Sequence, residues 1–239
     1  MDPQEWTVVA RNLPEHARNA IHTDAGAQAA GFPRALVAGV TTYAYLTHPV
    51  VAAWGLDWLQ RGGGEVRFRS PVFEHDRVDC TPRVDGEAIT VEALVSADRQ
   101  PRVTFRTVRD AGPPPDLRDG EPLRDRHIRL EGEWGSDYGV RAGDDLDLYA
   151  TEGLVHPAVW PALANHVVHT DVARGSWIHT RSVIRHHAIA RPGGVAEVTA
   201  RIVSRISSGA GERAILDVRI VVEGTVVATL EHEAIVALA

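Results

Sequence analysis

The stretch that decides the fold is Asn19-Ala20-Ile21-His22-Thr23-Asp24, followed by Gly31-Phe32 and Leu36-Val37-Ala38-Gly39-Val40. An amide, an imidazole and a carboxylate fall close together, and a glycine-marked turn then leads into an apolar run. Residues 37–54 are apolar nearly all round, which predicts a helix buried on every side. Pro49 lies inside that run, and a kink or the start of a second segment is expected there. A proton-transfer group beside a helix N-terminus suits chemistry on a carbonyl.

Beyond Gly62-Gly63-Gly64 the period changes. In 65–73, Val66 and Phe68 alternate with Arg67 and Arg69, the pattern of a half-buried strand. Further strands are expected at 77–84, 88–97 and 102–108, with Asp85-Gly86 as a hairpin turn and 98–101 as the next turn. The Pro-rich stretch 113–126 reads as a linker between an N-terminal half, 1–112, and a C-terminal half, 127–239. The second half repeats the order: an apolar segment from Leu154 to Val168, then strands at 176–186, 195–207, 212–222 and 225–238. Leu36-Val37-Ala38-Gly39 aligns with Leu154-Val155-His156-Pro157, and Val66-Arg67-Phe68-Arg69-Ser70 with Ile178-His179-Thr180-Arg181-Ser182. The chain reads as an internal duplication. Each half is a helix laid on a curved antiparallel sheet, an α+β arrangement.

The composition bounds the function. The chain has 239 residues, 44% apolar and 24% charged, enough for a sizeable core without staples. Its net charge is −7 and its basic residues are dispersed, which argues against nucleic-acid binding. No long apolar run is present, so no membrane span is expected. Cys80 is the single cysteine, which excludes an internal disulfide or a cysteine-based zinc cluster. With no signal-like N-terminus, a reducing, cytoplasmic setting is expected. All 25 basic residues are arginine, which removes Schiff-base chemistry and a Walker-type phosphate loop. No motif asks for a metal or another cofactor.

On Asn19-x-Ile21-His22-x-Asp24, Gly31-Phe32, Leu36-Val37-x-Gly39 and Phe68-x-x-Pro71-Val72, the sequence resembles the MaoC-like dehydratases and (R)-specific enoyl-CoA hydratases. The resemblance covers residues 15–80 well and the second half in outline. It implies a double hot dog, two antiparallel sheets each wrapped on a central helix and fused in one chain. It also implies a lyase, a hydratase or dehydratase acting on an enoyl or 3-hydroxyacyl thioester of CoA or a carrier protein, without a cofactor. The family motif runs Gly-Asp-x-Asn-Pro-hydrophobic-His, with Asp and His as the catalytic pair. Asn19, Ile21 and His22 match it; Ala17 stands at the Asp position and Ala20 at the Pro position. Ala38 stands where a His often precedes the helix glycine.

Hydration of an enoyl thioester needs a base, an acid and something to hold the enolate oxygen. His22 fits the acid/base role, since imidazole titrates near neutrality. Asn19 is expected to orient the water or His22, and the backbone N–H groups of Gly39 and Val40 to hold the thioester oxygen. Asp24 would orient the His22 ring if the segment were extended. Its plainer role is a helix N-cap, and Asp144 or Asp145 from the second half is the alternative. Tyr43 and His156 are candidates for the substrate pocket, with core packing and helix-end placement as their plainer roles. Asn165 would line the pocket or satisfy local backbone. Arg67 and Arg69 would meet a carrier phosphate or be solvated. His186 and His187 point to opposite faces of a strand and cannot easily share an ion. Three other functions compete: a hot-dog thioesterase with a carboxylate-activated water, an isomerase or cyclase of a small metabolite, and a non-catalytic acyl-binding protein. A homodimer of whole chains fits each of them.

Overall fold

Apolar–polar alternation becomes strand and the all-round apolar run becomes helix in the computed structural model, which describes residues 2–95 and 100–238. In chain order, β1 (Trp6–Val9) precedes a short helix α1 (Asp24–Ala29) and the long helix α2 (Gly39–Arg61). Then come β2 (Gly63–Phe68), β3 (Arg77–Asp85), β4 (Ala88–Val95) and β5 (Val103–Val108). The second half contributes β6 (Glu121–Pro122), β7 (Arg126–Arg129), α3 (Tyr138–Ala142), α4 (Leu148–Glu152) and α5 (Val159–Val167). It closes with β8 (Ile178–His186), β9 (Val195–Ser208), β10 (Gly211–Val222) and β11 (Thr225–Leu238). The expected hairpin joins β3 to β4 one residue later than read: Asp85 still pairs with Ala88, and the turn is Gly86-Glu87, with Gly86 at φ 59°. The expected ends at 96–97 and the turn residues 98 and 99 lie outside the described residues.

The strands form one antiparallel sheet in the order β1-β3-β4-β5-β2-β8-β11-β10-β9-β6, with β7 also on β9. Each half contributes one run of neighbours, and the halves meet where β2 pairs with β8. Helix α2 packs on β3, β4, β5 and β8, and α5 on β8 and β11. The chain thus has the α+β, double hot-dog arrangement, with one continuous core between the sheet and its two central helices. No helix among the described residues is long and apolar enough to cross a membrane.

Three details differ from expectation. Helix α2 runs through Pro49 with helical backbone and breaks at Gly55 instead (φ 56°, ψ −140°), a conformation open essentially to glycine alone. The second apolar segment is shorter than expected: α5 begins after Pro157 and ends in a single π-helical turn, Val168–Val172. The repeat alignment also needs a new offset in the strands. The β2–β8 pairs run from Gly63↔Arg185 to Arg67↔Arg181 and centre on Glu65↔Val183. A two-fold relation about that centre makes Val66, fully buried, equivalent to Ile184, also fully buried. That interval, 66 to 184, equals the interval 36 to 154 at the helix starts.

The 113–126 stretch lies along the second half. Glu121–Pro122 pairs with β9, the Arg118 guanidinium forms an ion pair with Asp217, and Arg219 donates to the Pro115 carbonyl.

Candidate active site

The motif loop consists of two 3-10 turns, Pro14–Arg18 and Ala20–His22, ahead of α1. It is pinned to both halves. Ile21 packs with Ala27 and Leu36, and its carbonyl accepts from the Leu36 N–H at 3.2 Å. The buried Asn19 amide donates from Nδ2 to the Trp177 carbonyl at 2.8 Å, and its Oδ1 faces the Trp177 N–H at 3.5 Å. His22 Nδ1 lies 2.8 Å from the Leu36 carbonyl. A carbonyl only accepts, so Nδ1 carries the proton and Nε2 keeps its lone pair. Nε2 has no protein partner among the described residues. Burial lowers the His22 pKa to about 4, opposed by the bond to Leu36, so the ring is neutral at pH 7.

His22 stands between two cavities. The larger, about 260 Å³, has apolar walls that include Ile21, Leu36, Phe68, Val103, Ile178 and Ile235. The smaller, about 50 Å³, is lined mainly by polar residues, with His16, Tyr138 and His166 among its walls. Asn19, His22, Asn165 and Trp177 line both. Gly39 lines the larger cavity at the first turn of α2. The N–H groups of Gly39 and Val40 have no acceptor among the described residues, as expected at a helix start. A Cβ on Gly39 would lie 3.2 Å from His179 Nδ1 and from two ring carbons of Phe68, so glycine keeps this wall open.

Other expected residues go elsewhere. Asp24 does not orient His22: it is exposed in the first turn of α1, and its Oδ1 accepts from the Ala35 N–H at 2.8 Å. The N-cap is Thr23, whose hydroxyl accepts from the Gly26 N–H. Asp145 pairs with His48 at 2.7 Å and Asp144 with His156 at 3.2 Å, and neither lines the cavities beside His22. Tyr43 is core: it is fully buried and edge-on to Phe105 at 5.2 Å, and burial pushes its phenol pKa up. His156 is also sealed, accepting from the Ala158 N–H through Nδ1, so Nε2–H donates to Asp144. The Val40 side chain packs on Ala38 and Ala162 rather than on the cavity. Arg67 is tied to Glu65, whereas exposed Arg69 lines the larger cavity without an ion pair among the described residues.

Sequence reasoning passed over His16 and His179. His16 Nε2 sits 3.1 Å from the Thr41 hydroxyl and 3.4 Å from that of Tyr138. Its pKa falls to about 3 through burial first and then the charges of His22, Arg141 and Arg18. His179 is buried, with Nε2 bonded to Ser182 Oγ at 2.8 Å and Nδ1 unpartnered. Burial again holds its pKa well below the ordinary value. Trp177 and His179 arrive at the site through the pairing of β8 with β2, which no local pattern encodes. His16, three residues before Asn19 in the 3-10 turn that leads into the motif, carried a local signal, because it sits beside Ala17, the position searched for a carboxylate.

No known protein-family profile matches the chain, and no curated protein matches it. Solved structures do share its fold. A protein from Chloroflexus aurantiacus J-10-fl described as a MaoC domain protein dehydratase superposes with a TM-score of 0.66 at 12% identity, over 100% of this chain and 96% of that one. A Mycobacterium tuberculosis protein described as having a double hotdog fold gives 0.65 at 12% identity, over 98% and 96%. An acyl-ACP thioesterase from Bacteroides thetaiotaomicron gives 0.56 at 8% identity, over 98% of each chain. At these identities the likeness is one of fold, the double hot dog.

Proposed function

We propose that this protein is an acyl-thioester hydratase or dehydratase that adds or removes water at the 2,3 position of an acyl group carried on CoA or a carrier protein. The observation that carries this reading is the state of His22. Its proton is committed to Leu36 on Nδ1, which leaves Nε2 free, and His22 lines an apolar cavity that Gly39, with its unpaired N–H at the start of α2, also lines. The acyl chain occupies the 260 Å³ cavity, with the thioester oxygen at the N–H groups of Gly39 and Val40. As C2 gains electron density, that oxygen gains charge, and donors already aimed there lower the barrier without reorganising. Nε2 takes a proton from water as the oxygen adds to C3, and the imidazolium so formed gives that proton to C2, so that water is added across the double bond and His22 ends neutral. Exposed Arg69 at the cavity wall is the cation for a carrier phosphate.

The thioesterase reading needs a carboxylate to activate water at the carbonyl carbon. The larger cavity has none among its lining residues. In the smaller cavity Glu15 is paired with Arg141 and Glu133 with Arg18. This favours hydration over hydrolysis.

The test is incubation with crotonyl-CoA, followed at the enoyl absorbance and by free-thiol assay. The expected result is loss of enoyl absorbance without thiol release, and a fall of about 10²–10⁴-fold in His22→Gln. Thiol release would establish the thioesterase instead. Undiminished turnover in His22→Gln would remove this residue from the mechanism.

A further inference from the structure

We infer that His16 is the second catalytic residue of this centre, holding the reacting water jointly with His22. The inference deepens the hydratase reading and rests on it.

The two imidazoles line the same small cavity, their ring centroids 6.0 Å apart and their planes tilted by 58°. Each is anchored through one nitrogen only. His22 is held through Nδ1 on Leu36. His16 is held through Nε2 on the hydroxyls of Thr41 and Tyr138, which also lie 3.2 Å from one another. His22 Nε2 and His16 Nδ1 are left without protein partners among the described residues. One water bonded to two nitrogens at ordinary lengths holds them about 4.5 Å apart. Ring centroids 6.0 Å apart leave room for that separation between the two nitrogens.

The partners divide the roles. His22 Nε2 has a lone pair only, so it accepts a proton from the water. When Nε2 of His16 accepts from the Thr41 or Tyr138 hydroxyl, its proton sits on Nδ1, and Nδ1–H donates to the water oxygen. The water is then gripped by one acceptor and one donor, with its second lone pair free to add to C3. Both rings stay neutral at pH 7 because both are largely desolvated. The anchors are rigid: Tyr138 and Thr41 are fully buried, and Thr41 lies in the first turn of α2. The carboxylates nearest His16 are occupied by arginines, which leaves the imidazole as the group available for this task.

Two substitutions separate this role from a structural one. In His16→Asn the side-chain amide reaches the place of Nδ1 and loses the link to Thr41 and Tyr138. In His16→Gln it reaches the place of Nε2, keeping that link and emptying the cavity-facing position. The inference predicts that His16→Gln melts like the wild type yet loses about 10²-fold or more in kcat on crotonyl-CoA, with KM little changed. It predicts that His16→Asn keeps the larger share of kcat. The reverse order, or full kcat in His16→Gln, overturns the inference while leaving the hydratase reading intact if His22→Gln is dead. A wild-type protein with no hydration of crotonyl-CoA overturns both.

Discussion

Replacing His186 by Leu should make the protein less sensitive to acid by an amount that can be calculated. His186 is buried on β8 with neither ring nitrogen hydrogen-bonded, and its ring meets Trp58 edge-on at 4.7 Å. Burial, then the nearby His187 and His156, lowers its pKa from 6.5 to about 3. A histidine kept neutral in the folded state binds its proton more readily when unfolded. Its contribution to stability is therefore complete above pH 6.5 and is lost as pH falls towards 3. For one such group the loss is about 1.4 kcal/mol between pH 7.5 and 5.5, and about 2.6 kcal/mol by pH 4.5. Leucine has a similar volume and does not titrate. At pH 7.5 the variant loses the Trp58 contact, about 0.5–1.5 kcal/mol, and sheds unsatisfied polar atoms worth about 1–3 kcal/mol. Those terms do not depend on pH and cancel when the variant is compared with itself across pH. Urea unfolding of both proteins at pH 7.5, 5.5 and 4.5, followed by circular dichroism, measures the difference. The gap between them should widen in favour of the variant by about 1.4 kcal/mol at the first step. Parallel loss of stability would mean that His186 is not a neutral, desolvated imidazole, and the reasoning would fail for the similarly buried His232 as well.

Removing the clamp in Asn19→Ala should cost about 1–3 kcal/mol, because it leaves the buried Trp177 carbonyl without its donor. Turnover should fall as His22 loses its seat; a melting temperature equal to wild type would contradict this. In Gly39→Ala, the gain in helix propensity of about 1 kcal/mol offsets crowding against His179 and Phe68 at 3.2 Å. Stability should hold while kcat/KM drops by about tenfold or more, and full activity would remove this wall from the substrate's path. Arg69→Gln should raise KM for crotonyl-CoA and flatten its salt dependence without changing kcat; an unchanged KM would show that the phosphates lie elsewhere.

The sheet was legible in the sequence because its information is local. Val66 and Phe68 alternating with arginines, and Asp85-Gly86 between two β-rich runs, state strand and turn without reference to the rest of the chain. The burial of α2 was equally plain from apolar residues on all its faces. The kink was misplaced because proline has a general cost in a helix, whereas Gly55 reveals itself only where a positive φ is needed. The strand offset of the repeat was unreadable for a different reason. Val66 can be slid along β8 without offending any local rule, and only the centre of the β2–β8 ladder fixes its partner.

The motif loop shows the same boundary at the scale of single side chains. His22, Asn19 and Gly39 are contiguous enough to be seen together, and the fold gathers all three around one cavity. Asp24 was drawn in by assuming an extended segment, in which residues two apart share a face. Thr23 caps a helix with Asp24 in its first turn, and that turns the carboxylate towards Ala35. The local geometry that removes Asp24 is also what makes His16 available. A 3-10 turn at Pro14–Arg18 directs His16 inward onto Thr41 and Tyr138, while Ala17 beside it is exposed. A carboxylate at position 17 would therefore face solvent in this backbone. Losing it costs the site nothing so long as the neighbouring imidazole meets the water, and the order of His16→Gln and His16→Asn decides that point.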